Sequence, residues 1–143
     1  MKVPNVTESS HRLYQFFFHS FLRKLDPETA HHLGAVVIKI AGLPLIRTGL
    51  RLLTTPRTSL TVTTLGQTFS TPFGMAAGFD KDVTMVRGLF ALGFGHVEVG
   101  TITALAQEGN PQPRLFRLIS DRALINRMGF NNKGAQHAQK KLK

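Results

Sequence analysis

The sequence predicts an α/β fold preceded by a helical segment, and three observations carry that expectation. Apolar residues recur at three- and four-residue spacing through the first third of the chain. A strand, helix, strand pattern follows from residue 73. Cysteine is absent, so no disulfide framework, zinc-thiolate site or thiol nucleophile competes with a fold built on a hydrophobic core.

The elements follow in order. Leu13, Phe16, Phe17, Phe21, Leu22 and Leu25 share one face, with Arg12, His19, Arg23 and Lys24 between them, which predicts an amphipathic, aromatic-faced helix over 13–25. Asp26-Pro27-Glu28 offers an N-cap, a proline at the first helical position and an early acid that suits the helix dipole. A second helix therefore starts there, runs through Leu33, Val36, Val37 and Ile40, and stops at Gly42-Leu43-Pro44. A shorter helix is expected over 45–53, ended by Thr54-Thr55-Pro56.

The alternation Leu60-Thr61-Val62-Thr63, a turn at Gly66 and the return Thr68-Phe69-Ser70 predict a small hairpin. Beyond Pro72 the pattern is a short buried strand over 73–77, a helix over 82–92 carrying Val83, Val86, Leu89 and Phe90 inward, and a strand over 96–99. This is a βαβ unit with parallel strands. Short strands at 114–118 and 123–126 follow the loop Asn110-Pro111-Gln112-Pro113, and Asn131-Asn132 is placed to cap a last helix running to the C-terminus.

Eighteen Lys and Arg against eight Asp and Glu give a net charge of +10, which favours an anionic partner. The excess is dispersed, eight basic residues lying in 1–66 and ten in 67–143, and Tyr14 is the one Tyr or Trp, so nucleic acid is not the expected partner. Arg12, His19, Arg23 and Lys24 interrupt the Phe-rich stretch, and no run approaches the roughly 20 apolar residues of a spanning helix. Neither a secretory signal nor a bilayer crossing is expected.

Chemistry concentrates in loops. Ala76-Ala77-Gly78-Phe79-Asp80-Lys81 ends a strand with small residues that permit flat contact with a planar ring, and Lys81 adds a fixed positive charge. Gly100-Thr101 ends the next strand on the same rim. Asn126-Arg127-Met128-Gly129-Phe130-Asn131-Asn132 packs three amides and a glycine into seven residues, a dense set of directional donors and acceptors that also reads as a turn and helix cap.

These segments, with Glu98-Val99-Gly100-Thr101 and Gly109-Asn110-Pro111-Gln112-Pro113-Arg114-Leu115-Phe116-Arg117-Leu118 between them, resemble the successive motifs of the class 2, quinone-linked dihydroorotate dehydrogenases. The resemblance runs from about Leu25 to the end of the chain. It implies an extension over 1–56 that rests on a membrane and forms a quinone tunnel, and over 57–143 the first part of an FMN-binding (β/α)8 TIM barrel, cut short. A full barrel takes about 250 residues.

The resemblance assigns flavin contacts to Ala77, Gly78, Phe79, Asp80, Lys81 and Thr101. Dihydroorotate contacts fall to Lys81, Asn126, Arg127, Met128, Gly129 and Phe130, and the inner end of the quinone tunnel to His31 and Arg117. The family's base is a serine on a later loop, which Ser9, Ser10, Ser20, Ser59, Ser70 and Ser120 do not match. The base is therefore expected beyond Lys143, and no catalytic residue and no metal ligand is expected within this chain. The implied reaction is oxidation of dihydroorotate to orotate in pyrimidine synthesis. The enzyme is expected on an anionic membrane surface, at the cytoplasmic face of a bacterial membrane, and the chain alone is expected to be inactive. The alternative is a non-catalytic membrane-surface module, with residues 11–53 binding lipid.

Overall fold

A computed structural model of the chain describes residues 6–56 and 58–143. The expected domain boundary between 56 and 57 falls on Arg57, which lies outside the described residues, as do residues 1–5.

Three helices come first: α1 (Val6–Ser20), α2 (Pro27–Ala41) and α3 (Pro44–Thr54). The expected helix over 13–25 is in fact two pieces, because α1 ends at Ser20 and a single 3-10 turn, Leu22–Lys24, leads to extended backbone at Leu25. That break lets Asp26 leave the helical region, and its carboxylate accepts from the backbone N–H of Glu28 at 2.9 Å and of Thr29 at 3.0 Å. Two of the orphan donors at the start of α2 are satisfied in this way. Among the described residues no single helix is long and apolar enough to cross a membrane; α2 and α3 pass that test only as a pair, bent by 93°.

The hairpin forms as β1 (Val62–Thr64) and β2 (Gln67–Phe69), antiparallel, with Leu65 and Gly66 both at positive φ in the turn. The βαβ unit follows as β3 (Gly74–Met75), α4 (Val86–Ala91) and β4 (His96–Val97), with Gly74 opposite His96 and Met75 opposite Val97 in parallel register. A second antiparallel hairpin joins β5 (Leu115–Leu118) to β6 (Ala123–Asn126), and α5 (Ala135–Leu142) is the last element.

Some expectations need correction. The strand expected over 73–77 is two residues long, with Phe73 exposed on one side and Ala76 and Ala77 exposed at the rim. Helix α4 starts four residues late because the buried Asp80 carboxylate accepts from the N–H of Thr84 at 2.9 Å and of Met85 at 2.7 Å, which holds 80–85 as a capped turn. Leu89 is then fully buried as expected and Val83 is buried ahead of the helix, whereas Val86 is half-buried and Phe90 is exposed. Helix α5 likewise begins after Gly134, so Asn131 and Asn132 do not cap it; the Asn132 amide oxygen accepts from the Thr103 and Gly134 N–H groups instead. The helix ends at Leu142, one residue short of Lys143, which is exposed.

The core joins α2 to the βαβ unit: Ala35 of α2 packs with Met85 and Leu89, ringed by Ile38, Met75, Phe79, Phe94 and Val97. The two helices approach so closely at Gly88 that a Cβ there would lie 1.8 Å from the Ile38 carbonyl oxygen. Alanine in place of glycine gains about 1 kcal/mol of helix propensity, but a backbone atom at that distance cannot yield without moving α2. Glycine is the residue that permits this contact. The Thr54 hydroxyl adds a second tie by donating to the Ala91 carbonyl at 3.0 Å.

Candidate functional site

Where α2 meets the rim of the βαβ unit and the β5–β6 hairpin, a cavity of ≈ 530 Å³ opens. Helix α2 contributes His31, His32, Ala35 and Lys39, the rim loop contributes Gly78, Phe79, Asp80 and Lys81, and the hairpin with the loop beyond it contributes Leu115, Arg117, Leu124, Asn126, Met128 and Asn131. Three segments far apart in sequence therefore share one space.

The rim is built by backbone. The Gly78 N–H donates to the Gly100 carbonyl at 2.7 Å, and the Gly100 N–H donates to the Asp80 carbonyl at 3.1 Å, so the ends of the two parallel strands are stitched together. Ala76, Ala77 and Gly78 are exposed, with nothing within 4 Å of where a Gly78 Cβ would stand. This is a flat, open bed against which a planar ring can lie. The carboxylate of Asp80 is spent on the N–H groups of Thr84 and Met85 in the turn that precedes α4, so its side chain serves the fold.

Lys81 reaches from the rim to the opposite loop: its ammonium donates to Asn131 Oδ1 at 2.6 Å and to the Gly129 carbonyl at 3.4 Å. Burial first, then the nearby Arg114 charge, pull it below the ordinary lysine value. Asn126 Oδ1 accepts from the Met128 N–H at 2.9 Å, an Asx turn that leaves its NH2 group as a donor. Met128 is buried, Phe130 is exposed, and the Arg127 guanidinium lies 5.8 Å from the Phe116 ring centre.

On the α2 side, the His31 ring stands edge-on to Phe79 at 5.3 Å. Burial, with the charges of His32 and Lys81 adding to it, lowers its pKa from the ordinary imidazole value, which favours the neutral ring. Arg117 donates to the Leu25 carbonyl at 2.6 Å. Arg117 and Leu124 also line a second cavity, of ≈ 530 Å³, between β5–β6 and the Tyr14 and Phe18 side of α1. The two spaces adjoin at Arg117.

Of the residues singled out in the sequence, the first cavity gathers Gly78, Phe79, Asp80, Lys81, Asn126, Met128, His31 and Arg117. Ala77, Thr101, Arg127, Gly129 and Phe130 lie outside its lining, although the Gly129 carbonyl meets Lys81. No serine lines the cavity, and among the described residues no group of His, Asp and Glu is placed to hold a metal ion.

Three contributors were missed by sequence reading. Asn131 holds Lys81, and the amide-rich run that contains it was the available signal. Glu28 and Arg114 form a salt bridge, with Arg114 Nη2 2.6 Å from Oε1 and Nε at 3.2 and 3.1 Å from the two carboxylate oxygens; both side chains are about nine-tenths buried. No sequence signal links residues 86 positions apart. The exposed Lys133–Asp82 pair, at 4.0 Å, is worth at most about 1 kcal/mol by contrast.

The sequence profile described as dihydroorotate dehydrogenase matches residues 59–143, more than half of the chain. The chain belongs to the dihydroorotate dehydrogenase family. It is similar to the curated proteins named dihydroorotate dehydrogenase (quinone) from Clavibacter sepedonicus, 60% identical over 126 residues, and from Thermus thermophilus, 51% identical over 127 residues. These matches cover 86% and 87% of this chain and 36% and 37% of the relatives. The crystal structure of the Eimeria tenella dihydroorotate dehydrogenase in complex with ferulenol superposes with a TM-score of 0.70 at 39% identity, covering 88% of this chain and 32% of that one. The chain thus has part of a TIM-barrel-type α/β fold and spans about a third of the length of its dihydroorotate dehydrogenase relatives.

The Arg114 hydrogen bonds, followed by its charge, outweigh burial and hold the Glu28 carboxyl below its ordinary 4.5. A carboxylate with a depressed folded-state pKa contributes stability that is complete above the unfolded value and is lost as pH falls through the folded one. Thermal unfolding from about pH 6 down to about pH 3 should therefore show an acid-induced loss that is smaller in Glu28→Gln. Identical pH profiles for the two proteins would remove the ion pair from the stability of the fold.

Proposed function

We propose that this chain supplies the membrane-resting extension and the first barrel units of a quinone-linked dihydroorotate dehydrogenase. The observation that carries the reading is the single cavity in which the flat rim at Gly78, the Lys81 ammonium, Asn126 and the pair His31 and Arg117 meet. FMN fits the open bed of Ala76, Ala77 and Gly78 beside Lys81, and when bound it would accept hydride from C6 of dihydroorotate and yield the electrons to quinone. Loss of the C5 proton to a base completes the oxidation to orotate, and that base is not among the residues lining the cavity.

The residues present have separable tasks. Lys81 places positive charge where the substrate carboxylate and the developing negative charge of reduction both need it. Asn126, with its NH2 group free, is suited to hydrogen-bond the pyrimidine ring. His31 of α2 and Arg117 of β5 would meet the quinone, and the second cavity adjoining at Arg117 gives an approach from the α1 side past Tyr14 and Phe18. The enzyme is read as peripheral to an anionic bilayer at the cytoplasmic face of a bacterial membrane. Phe16, Phe17 and Phe21 near α1, Leu33, Val36 and Val37 of α2, and Leu45, Leu52 and Leu53 of α3 are all exposed, with Arg12, Arg23, Lys24 and Lys39 nearby in the chain.

The substrate role is tested by stopped-flow kinetics in a chimera whose missing two thirds come from the Clavibacter sepedonicus relative. Lys81→Ala should slow flavin reduction by dihydroorotate about 10²-fold or more, by analogy with the loss of other charge-stabilising donors, and should affect reoxidation by quinone far less. A normal reductive rate at normal flavin content would make Lys81 a bystander, while the 143-residue chain alone should form no orotate. The membrane role has its own readout: the chimera should cosediment with anionic vesicles, and removal of residues 1–53 should abolish this. Unchanged cosedimentation after that deletion would refute it.

A further inference from the structure

The buried Arg114 guanidinium is used on both edges. One edge, Nε and Nη2, grips the Glu28 carboxylate at the start of α2. The other, through Nη1, donates to the carbonyls of Glu108 at 2.7 Å and Asn110 at 3.0 Å. The segment held in this way is itself fastened to the substrate loop: the Asn110 N–H donates to the Met128 carbonyl at 2.9 Å, its side-chain amide donates to the Arg127 carbonyl at 2.6 Å, and the Arg127 N–H returns to the Arg114 carbonyl at 2.9 Å. Glycine at 109 lets the strands of this knot touch, since a Cβ there would fall 2.3 Å from the Met128 carbonyl oxygen.

From this continuous set of contacts we infer that Arg114 is a positioning residue that fixes the loop over 126–131 relative to helix α2, so that the substrate side and the quinone side of the cavity are held in one register. The inference rests on the functional reading above for the meaning of the two sides, but the mechanical link does not. Arginine is required rather than any cation, because only a planar fork presents parallel donors to a carboxylate while its remaining nitrogen reaches two carbonyls. A lysine ammonium at the same place is a single point of attachment.

The link predicts an effect at a distance. Glu28 belongs to the helix that carries His31, yet Glu28→Gln should loosen the loop that binds dihydroorotate. Amide hydrogen exchange in the 143-residue chain reads this directly: the Asn110 and Arg127 amides should exchange about tenfold faster in the variant, with the Leu89 amide in the core of α4 unchanged. Faster exchange confined to α2, or a uniform rise across the chain, would overturn the link. In the chimera, Glu28→Gln and Arg114→Lys should each raise the KM for dihydroorotate roughly three- to tenfold with a smaller change in kcat. A change confined to the quinone KM, or a native dihydroorotate KM in Arg114→Lys, would contradict the two-sided clamp. If the native chimera forms no orotate, the enzymatic reading fails and the exchange data alone decide the clamp.

Discussion

The arrangement depends on the ion pair of Glu28 with Arg114, which ties the start of α2 to the loop before β5, alongside the Thr54–Ala91 and Arg117–Leu25 hydrogen bonds. Burying two charges costs several kcal/mol per ion, and such a pair is tolerable only when its remaining donors and acceptors are satisfied. That condition is met, with Arg114 donating to both carboxylate oxygens and to two backbone carbonyls. Once formed, the pair is costly to break, since removing one partner leaves the other without its charged hydrogen-bond partner. The close approach of α2 and α4 at Gly88 and the ion pair together hold α2 in place.

From that placement the cavity follows. With α2 held against the rim, His31 comes edge-on to Phe79, and Phe79 in turn adjoins Asp80 and Lys81. Lys81 bridges the gap to Asn131, so rim and substrate loop are connected by a charge as well as by backbone. Arg117 and Leu124 line both the first cavity and the one on the α1 side.

Local signals made much of this legible. Asp26-Pro27 fixed the start of α2 because an N-cap acts on amides two and three residues away, and the alternation around Val62 located the hairpin for the same reason. The start of α4 was misjudged because the periodicity through 82–92 shows which residues share a face but not where the helix begins; the Asp80 carboxylate holds Thr84 and Met85 in a turn ahead of it, and Phe90 ends on the exposed side. The rim loop and the 126–132 loop were singled out by motif, and six of their named residues line one cavity with His31 of α2 and Arg117 of β5. Glu28 was read only as a dipole partner, since its true partner is distant in sequence and becomes a neighbour only after the chain folds.

A thermodynamic double-mutant cycle tests the central constraint most directly, by measuring the unfolding free energies of the native protein, Glu28→Gln, Arg114→Met and the double variant. If the pair joins the extension to the barrel part, the two single changes should be strongly non-additive, with a coupling of about 1.5 kcal/mol or more. Additive effects, within about 0.5 kcal/mol, would show that the two side chains act independently and that α2 is held by its apolar contacts alone.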